Sequence, residues 1–342
     1  PSKNDASFGR MNTRSLIIVT FFSWVALSCD SKRAVVHPPD SPRGPRVAMG
    51  ATPKEVARRR PGMDPGAIKA IYRGAFPKKR KVGFHPARLI VSGVPRKVTV
   101  YFPAKVAAKP ALIIACHGTG GTAEDGVWDI AANEAADAHG AIVVSLQARH
   151  MPRGDWDNHK AGQVFFETYP NTSLRKNNDL LLVLATIAEG RRAYGIDPKR
   201  VYIAGFSNGA FFAQFAALAL REHIAGFASS AGGLVRCRGT GTCGFRGSAL
   251  TCAALRKEPG YCACKGQDKP FPMKARARKP AAYLVHSVRD DTVSSYYSCE
   301  LAARLLALGH PVKLALRRHG DHGSPPHFMV AAWKFLSKYP LR

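Results

Sequence analysis

The pentapeptide Gly205-Phe206-Ser207-Asn208-Gly209 constrains this chain more than any other feature, because an apolar run at 201–204 precedes it and a helix-forming stretch at 210–220 follows it. A serine hydroxyl is a poor nucleophile until a sharp strand-to-helix turn presents it to a base, and such a turn needs small residues where its backbones crowd. GxSxG alone arises often by chance. The strand before and the helix after give this copy the context of a nucleophile-bearing turn. The bland alternative is a glycine-rich loop carrying an ordinary surface serine.

From about residue 84 strand and helix signals alternate. Strands are expected at 88–92 and 97–102, as a hairpin, and at 111–116, 141–146, 201–204, 226–230, 281–286 and 312–317. Helices are expected at 124–139, 178–192, 209–222, 294–308 and 327–337. This alternation predicts the α/β class, a mostly parallel central sheet covered by helices on both faces.

Acyl transfer needs a nucleophile, a base to hold its proton, a carboxylate to orient the base and donors for the oxyanion. Each has a candidate at the end of an expected strand, the edge where catalytic groups gather in open α/β sheets. Ser207 is the nucleophile. The strand at 281–286 runs into Asp290 and Asp291, of which Asp290 is preferred as the acid. The strand at 312–317 runs into a glycine loop holding His319 and His322; His322 is preferred as the base, with His327 a remote third. The oxyanion donors are expected to be the Asn208 amide and one from the Gly118–Thr119 region of the loop 117–121. A phosphate cradle is the competing reading of that loop, but no lysine follows its glycines in Walker fashion. Trp156, His159 and Phe165 are expected to line a substrate pocket, or else to pack an ordinary surface loop. Asp179 either caps the following helix, a task Asn177 or Asn178 also fits, or orients that loop.

The remainder of the chain frames this unit. Of 342 residues, 51 are Lys or Arg and 23 are Asp or Glu, a formal net charge of +28, with dense basic residues at 32–97 and again at 236–279. No nucleic-acid module accompanies the charge, so no specific nucleic-acid partner is expected; the charge either reflects an arginine-biased composition with solvated faces or recruits an anionic partner, lipid or acidic polymer of an envelope surface, through the basic tether. Residues 30–83, rich in Pro, Gly, Arg and Lys, read as a flexible tether, with a short helix at 65–76 as the exception. Upstream, Arg14, an apolar run at 16–27 and Cys29 have the layout of a signal peptide ending in a lipoprotein-type cysteine, predicting export with a lipid anchor on Cys29, or else plain secretion or a non-cleaved apolar anchor. Residues 1–10 precede a plausible start at Met11. Six of the eight cysteines, at 237, 243, 252, 262, 264 and 299, fall late in the chain, five of them in a glycine-rich insertion at about 236–270. That set predicts three disulfides of open pairing in an oxidising compartment. Zinc fits less well, because the nearest pair is Cys262-x-Cys264, and no metal is expected. Cys116 reads as a buried free thiol.

The serine turn and the Asp197-Pro198-Lys199-Arg200 before it, with Val100-Tyr101-Phe102-Pro103, the loop at His117 and the Ala-Gly-rich segment 227–233, resemble the polyhydroxybutyrate depolymerase and feruloyl or acetylxylan esterase group of the α/β-hydrolases. The resemblance spans about 88–338. It implies Ser207 as nucleophile, Asp290 as acid, His322 as base, Thr119 as second oxyanion donor, no cofactor, and an ester substrate, whether a polyester, a feruloylated or acetylated polysaccharide, or a small ester. The chain order Ser, Asp, His agrees. Three departures stand out: His286-Ser287 where the family commonly has HG, Gly323-Ser324-Pro325 after the histidine, and the cysteine-rich insertion. The expectation is an exported serine esterase. A peptidase of the same fold, or a non-catalytic envelope-binding protein on this fold, are the alternatives.

Overall fold

The computed structural model describes residues 72–78, 81–154, 159–168, 175–234, 246–261, 273 and 275–341. The segments expected to be a leader and, for the most part, a tether, with Cys29, and also Trp156, Cys237, Cys243, Cys262 and Cys264, lie outside them.

Eleven strands are described: β1 (Tyr72–Gly74), β2 (Gly83–Val91), β3 (Val94–Phe102), β4 (Leu112–Cys116), β5 (Ile142–Leu146), β6 (Arg149–His150), β7 (Val164–Phe165), β8 (Val201–Phe206), β9 (Gly226–Ser230), β10 (Ala281–Ser287) and β11 (Val312–Arg317). Seven helices accompany them: α1 (Ala123–Trp128), α2 (Ala132–His139), α3 (Asn178–Tyr194), α4 (Asn208–Ala219), α5 (Cys252–Leu255), α6 (Ser295–Ala307) and α7 (Phe328–Leu336). The main sheet has nine strands in the order β1-β2-β3-β5-β4-β8-β9-β10-β11. Pairing is antiparallel from β1 to β5 and parallel from β5 onward.

The central strands read as unbroken apolar runs because both faces are covered. Along β4, Leu112, Ile114 and Cys116 enter one core with α3, α4 and α6, whereas Ile113 and Ala115 enter the other with α1, α2 and α7. Cys116 is buried and unpaired. Helix α3 starts where the Asn177 side chain accepts from the amides of Asp179 and Leu180 and ends at Gly195, whose φ of 63° suits glycine. Helix α4 buries Phe211, Phe212, Phe215 and Leu218, each worth about 1.5–3 kcal/mol of transfer free energy.

Three expectations change. The helix expected at 124–139 is two helices, because the chain turns at Ala131 (φ 52°) and the Ile130 carbonyl accepts from Met329 N at the start of α7. The first strand begins at Gly83 rather than 88; Pro86 is tolerated because β1 pairs only with Leu89–Val91 and leaves that edge open. The end of the basic segment is not tether or helix at 72–77: β1 adds to the sheet, and Phe76 is buried 5.7 Å from Tyr194. Glu189 accepts from Tyr72 Oη at 3.1 Å and Phe76 N at 2.9 Å.

Candidate active site

Parallel strands deliver their C-terminal ends to one edge, so the segments after β4, β8, β10 and β11 meet. Ser207 follows β8 directly, with φ 52° and ψ −124°, a conformation that costs energy for any residue with a β-carbon. The surroundings over-determine it. Ser207 N donates to Ser230 O at 3.0 Å, and Ser207 O accepts from Ala210 N and Phe211 N at 2.9 and 3.1 Å. A β-carbon at Gly205 would collide with the Gly209 carbonyl, and one at Gly209 with the Cys116 carbonyl. Glycine at both places therefore lets α4 start hard against the end of β4.

His322 Nε2 lies 2.9 Å from Ser207 Oγ, and His322 Nδ1 lies 2.9 Å from Asp290 Oδ2. Asp290 is fully buried; its Oδ1 accepts from Thr292 N at 2.9 Å and Val293 N at 2.8 Å. Burial pushes this carboxyl upward, but hydrogen bonds from His286 and His322, the charge of His286 and the Val293 amide hold it well below the usual carboxylate range. With Asp290 ionised, Nδ1–H donates and Nε2 is left to accept from the serine hydroxyl. The alternatives are elsewhere: Asp291 pairs with Arg246 at 2.8 Å on the surface, His327 faces Glu134, and His319 is exposed.

Two further residues build this site. His286 is buried at the end of β10, with Nε2 2.8 Å from Val293 O and 3.2 Å from Asp290 Oδ2, and Nδ1 2.7 Å from Ser298 Oγ. Ser298 Oγ in turn donates to Gly232 O. Both imidazole nitrogens thus face acceptors. Ser287 donates its hydroxyl to the Gly320 carbonyl and so ties β10 to the histidine loop. The pattern His286-x3-Asp290 is the sequence signal for the first; a lone serine carries none for the second.

The loop after β4 is braced from below. Ala148 N donates to His117 Nε2 at 3.1 Å, which fixes the tautomer, so Nδ1–H donates to Gly118 O at 2.5 Å. Burial lowers the His117 pKa and keeps that ring neutral. The Gly118 amide faces the Asp129 carboxylate. Gly120 N donates to Val164 O at 2.8 Å, and Gly121 N to Gly118 O at 3.2 Å. Thr119 stands exposed at the loop's crest, its Oγ1 2.6 Å from His159 Nε2. Gly118 packs beside the serine, where an added β-carbon would lie 3.4 Å from Ser207 Cβ. Asn208, first residue of α4, has no helical carbonyl four residues back for its amide, and its side-chain Oδ1 accepts from Phe166 N at 2.8 Å.

The expected pocket residues separate. Phe165 is fully buried, stacked 4.5 Å beneath the His159 ring and packed with Met151, so of this described pair only the half-buried His159 reaches the surface. Phe166, not singled out beforehand, lies between His117 at 5.0 Å and Phe212 at 4.8 Å. Capping falls to Asn177, while Asp179 accepts from Glu167 N at 2.7 Å and pairs with the buried Arg96 at 2.5 Å, anchoring the loop that carries Phe166. The insertion's described part is tied to the end of β10 and to α6: Gly247 N donates to Val288 O, and Cys252 is bonded to Cys299. Among the described residues, no cluster of His, Cys, Asp or Glu fits a metal ion.

A family model described as phospholipase/carboxylesterase matches residues 103–240. Feruloyl esterase B of Talaromyces funiculosus is 32% identical over 115 residues, which is 32% of this chain; the match spans only 29% of that relative's length. Among solved structures, a bacterial heroin esterase superposes with a TM-score of 0.51 at 21% identity, covering 75% of this chain and 83% of its own. The acetyl xylan esterase of Aspergillus awamori superposes with a TM-score of 0.50 at 14% identity, covering 78% of this chain and 98% of its own. At these identities the superpositions speak for the fold, which is that of the α/β-hydrolases.

Proposed function

We propose that this chain, an α/β-hydrolase resembling the esterase group, is a serine esterase that cleaves carboxylic esters through an acyl-enzyme. The observation that carries the reading is the unbroken line from Ser207 Oγ through the His322 ring to Asp290 Oδ2, with both contacts at 2.9 Å. Ser207 Oγ attacks the ester carbonyl carbon as His322 Nε2 takes its proton, and the resulting oxyanion is met by the amides of Asn208 and Thr119. Collapse breaks the carbon–oxygen bond to the alcohol, which leaves with the proton from His322. Water then adds to the acyl carbon, giving its proton to His322, and a second collapse frees the acid and restores Ser207. Asp290 keeps its charge and stabilises the imidazolium that forms twice.

The substrate class we propose is an esterified polysaccharide or a polyester. The partial likeness to a feruloyl esterase supports it, and the Thr119 hydroxyl with its His159 partner offers polar groups for the alcohol part. We place the protein outside the cytoplasm, exported and held by a lipid on Cys29. The Cys252–Cys299 disulfide agrees with an oxidising compartment.

The test compares the full chain with Ser207→Ala on p-nitrophenyl esters, peptide anilides, feruloylated and acetylated xylan and polyhydroxybutyrate. Ester turnover by the parent, lost by about 10³-fold or more in the variant, is expected. Equal turnover by both would rule the mechanism out, and preference for the anilides would assign a peptidase.

A further inference from the structure

In the hairpin β2–β3 the register sets Phe84 opposite Tyr101, Pro86 opposite Thr99 and Arg88 opposite Lys97. Directly paired residues point to one side of a sheet, so these six share the face on which α1 packs. Helix α1 crosses that face without covering it. Glu124 Oε1 accepts from Thr99 Oγ1 at 2.8 Å, and one helical turn beyond, on the same side of α1, the Trp128 ring stands 5.3 Å from Phe84. Between helix and hairpin lies a cavity of about 580 Å³, within the range of organic-ligand sites, whose lining includes Arg88, Lys97, Glu124 and Gln147.

One end of this cavity lies at the catalytic edge. Val98 pairs with Leu146, the last residue of β5, so the Arg88 and Lys97 end of the hairpin reaches the edge that holds Ser207. Gln147 bridges the two places: its Oε1 accepts from Ala123 N at 2.9 Å, and its Nε2 donates to Gly121 O at 3.1 Å on the loop that bears Thr119. Trp128 marks the far end. Its side chain is 58% exposed, whereas Tyr101, 5.0 Å beyond Phe84, is buried.

An indole this exposed keeps a large apolar face in water, and a flat ligand laid on it would remove that cost. The cavity itself is not apolar. Of the apolar residues lining it, Val98 and Ala123 are buried, Ala87 is half-buried and only Pro86 is exposed, so a polyester or a lipid surface would find little to cover. Arg88 and Lys97 supply donors and Glu124 an acceptor, with charges of both signs, a lining suited to hydroxyl groups rather than to a simple ion. These parts match a neutral sugar chain: a pyranose ring lays a C–H face on an aromatic ring and turns hydroxyls, each both donor and acceptor, toward polar side chains.

We propose that this groove binds an unesterified stretch of a neutral pyranose chain, stacked on Trp128 and hydrogen-bonded by Arg88, Lys97 and Glu124, while an ester further along the same chain reaches Ser207. The inference deepens the esterase reading by choosing a polysaccharide over a polyester. It rests on that reading only for the cleavage, because sugar binding in the groove is measured without it.

The experiment titrates the full chain with xylohexaose and cellohexaose in a calorimeter, beside adsorption to polyhydroxybutyrate particles and turnover of p-nitrophenyl acetate. Trp128→Ala should weaken oligosaccharide binding about tenfold or more, while Trp128→Tyr, which keeps a ring, should stay within about threefold of the parent. Arg88→Ala/Lys97→Ala removes two exposed donors and should weaken binding about three- to tenfold, which keeps the test decisive if the urea midpoint of Trp128→Ala shows a failure to fold. Leu306→Ala, at a residue 57% exposed on α6, is the control and should match the parent in sugar binding and in p-nitrophenyl acetate turnover. On acetylated xylan, Trp128→Ala should raise KM more than it lowers kcat. No binding of either oligosaccharide by the parent, unchanged binding in folded Trp128→Ala and in Arg88→Ala/Lys97→Ala, or a Trp128→Ala defect confined to polyhydroxybutyrate adsorption would overturn the proposal. A parent that binds the oligosaccharides through Trp128 but turns over no ester would overturn the esterase reading and uphold this site.

Discussion

Asp290 carries two duties that separate with pH. Its folded pKa is depressed, so the stability it contributes is fully present above the ordinary carboxylate value of about 3.9 and fades as pH falls toward the lower folded value. Asp290→Asn is therefore expected to unfold more easily than the parent at pH 7, with the gap narrowing below about pH 4 as the parent's own carboxylate protonates. Urea titrations at pH 7, 5 and 3 check this, and a gap that widens in acid would contradict it. The same variant should lower ester kcat by about 10³- to 10⁴-fold, since the asparagine no longer holds His322 in the tautomer that accepts from serine. At Ser287 the prediction is milder. Ser287→Ala removes the hydroxyl that holds the Gly320 carbonyl and should cut kcat by about three- to tenfold with KM little changed. Steady-state kinetics on one p-nitrophenyl ester read both.

Among the elements, the serine turn and the strands feeding it were legible in the sequence because each rests on local signals: apolar runs, glycines at a crowded turn, a carboxylate and a histidine just past strand ends. What braces them was not. Arg96 on β3, Asp179 at the start of α3 and the amide of Glu167 form a buried line that sets the loop bearing Phe166, whose own amide holds Asn208 Oδ1. These partners are far apart in sequence, and a charged residue within an alternating strand reads as solvent-facing until the fold closes over it. Phe165 misled for the same reason, since an aromatic in a loop gives no sign of which neighbour will cover it. Asp179→Ala leaves Arg96 buried without its counter-charge, and should cost about 3–5 kcal/mol in chemical unfolding. A loss under about 1 kcal/mol would show that Arg96 is satisfied by Asn178 and Gln147 alone.

For the molecule as a whole, the composition-based boundary near residue 83 falls inside the folded unit. A three-residue strand is too short to show a period, and the residue that fixes it, Glu189, lies 113 positions beyond Phe76. Deleting everything before residue 84 removes β1 and the buried Phe76, and should destabilise the protein by about 3–5 kcal/mol relative to a chain starting near residue 70. The Cys252–Cys299 bond closes a separation of 47 residues and ties the insertion to α6, directly after the Asp290 loop. Cys252→Ser/Cys299→Ser should lower stability by about 2–4 kcal/mol, read as a shift in denaturation midpoint. These supports surround one chemical claim, that the fold makes Ser207 a nucleophile. Fluorophosphonate labelling of the folded, disulfide-intact full chain, followed by peptide mapping, tests it most directly. One adduct is expected, on Ser207, absent from Ser207→Ala and suppressed in His322→Ala. A folded protein that takes no label, or takes it on another residue, would contradict it.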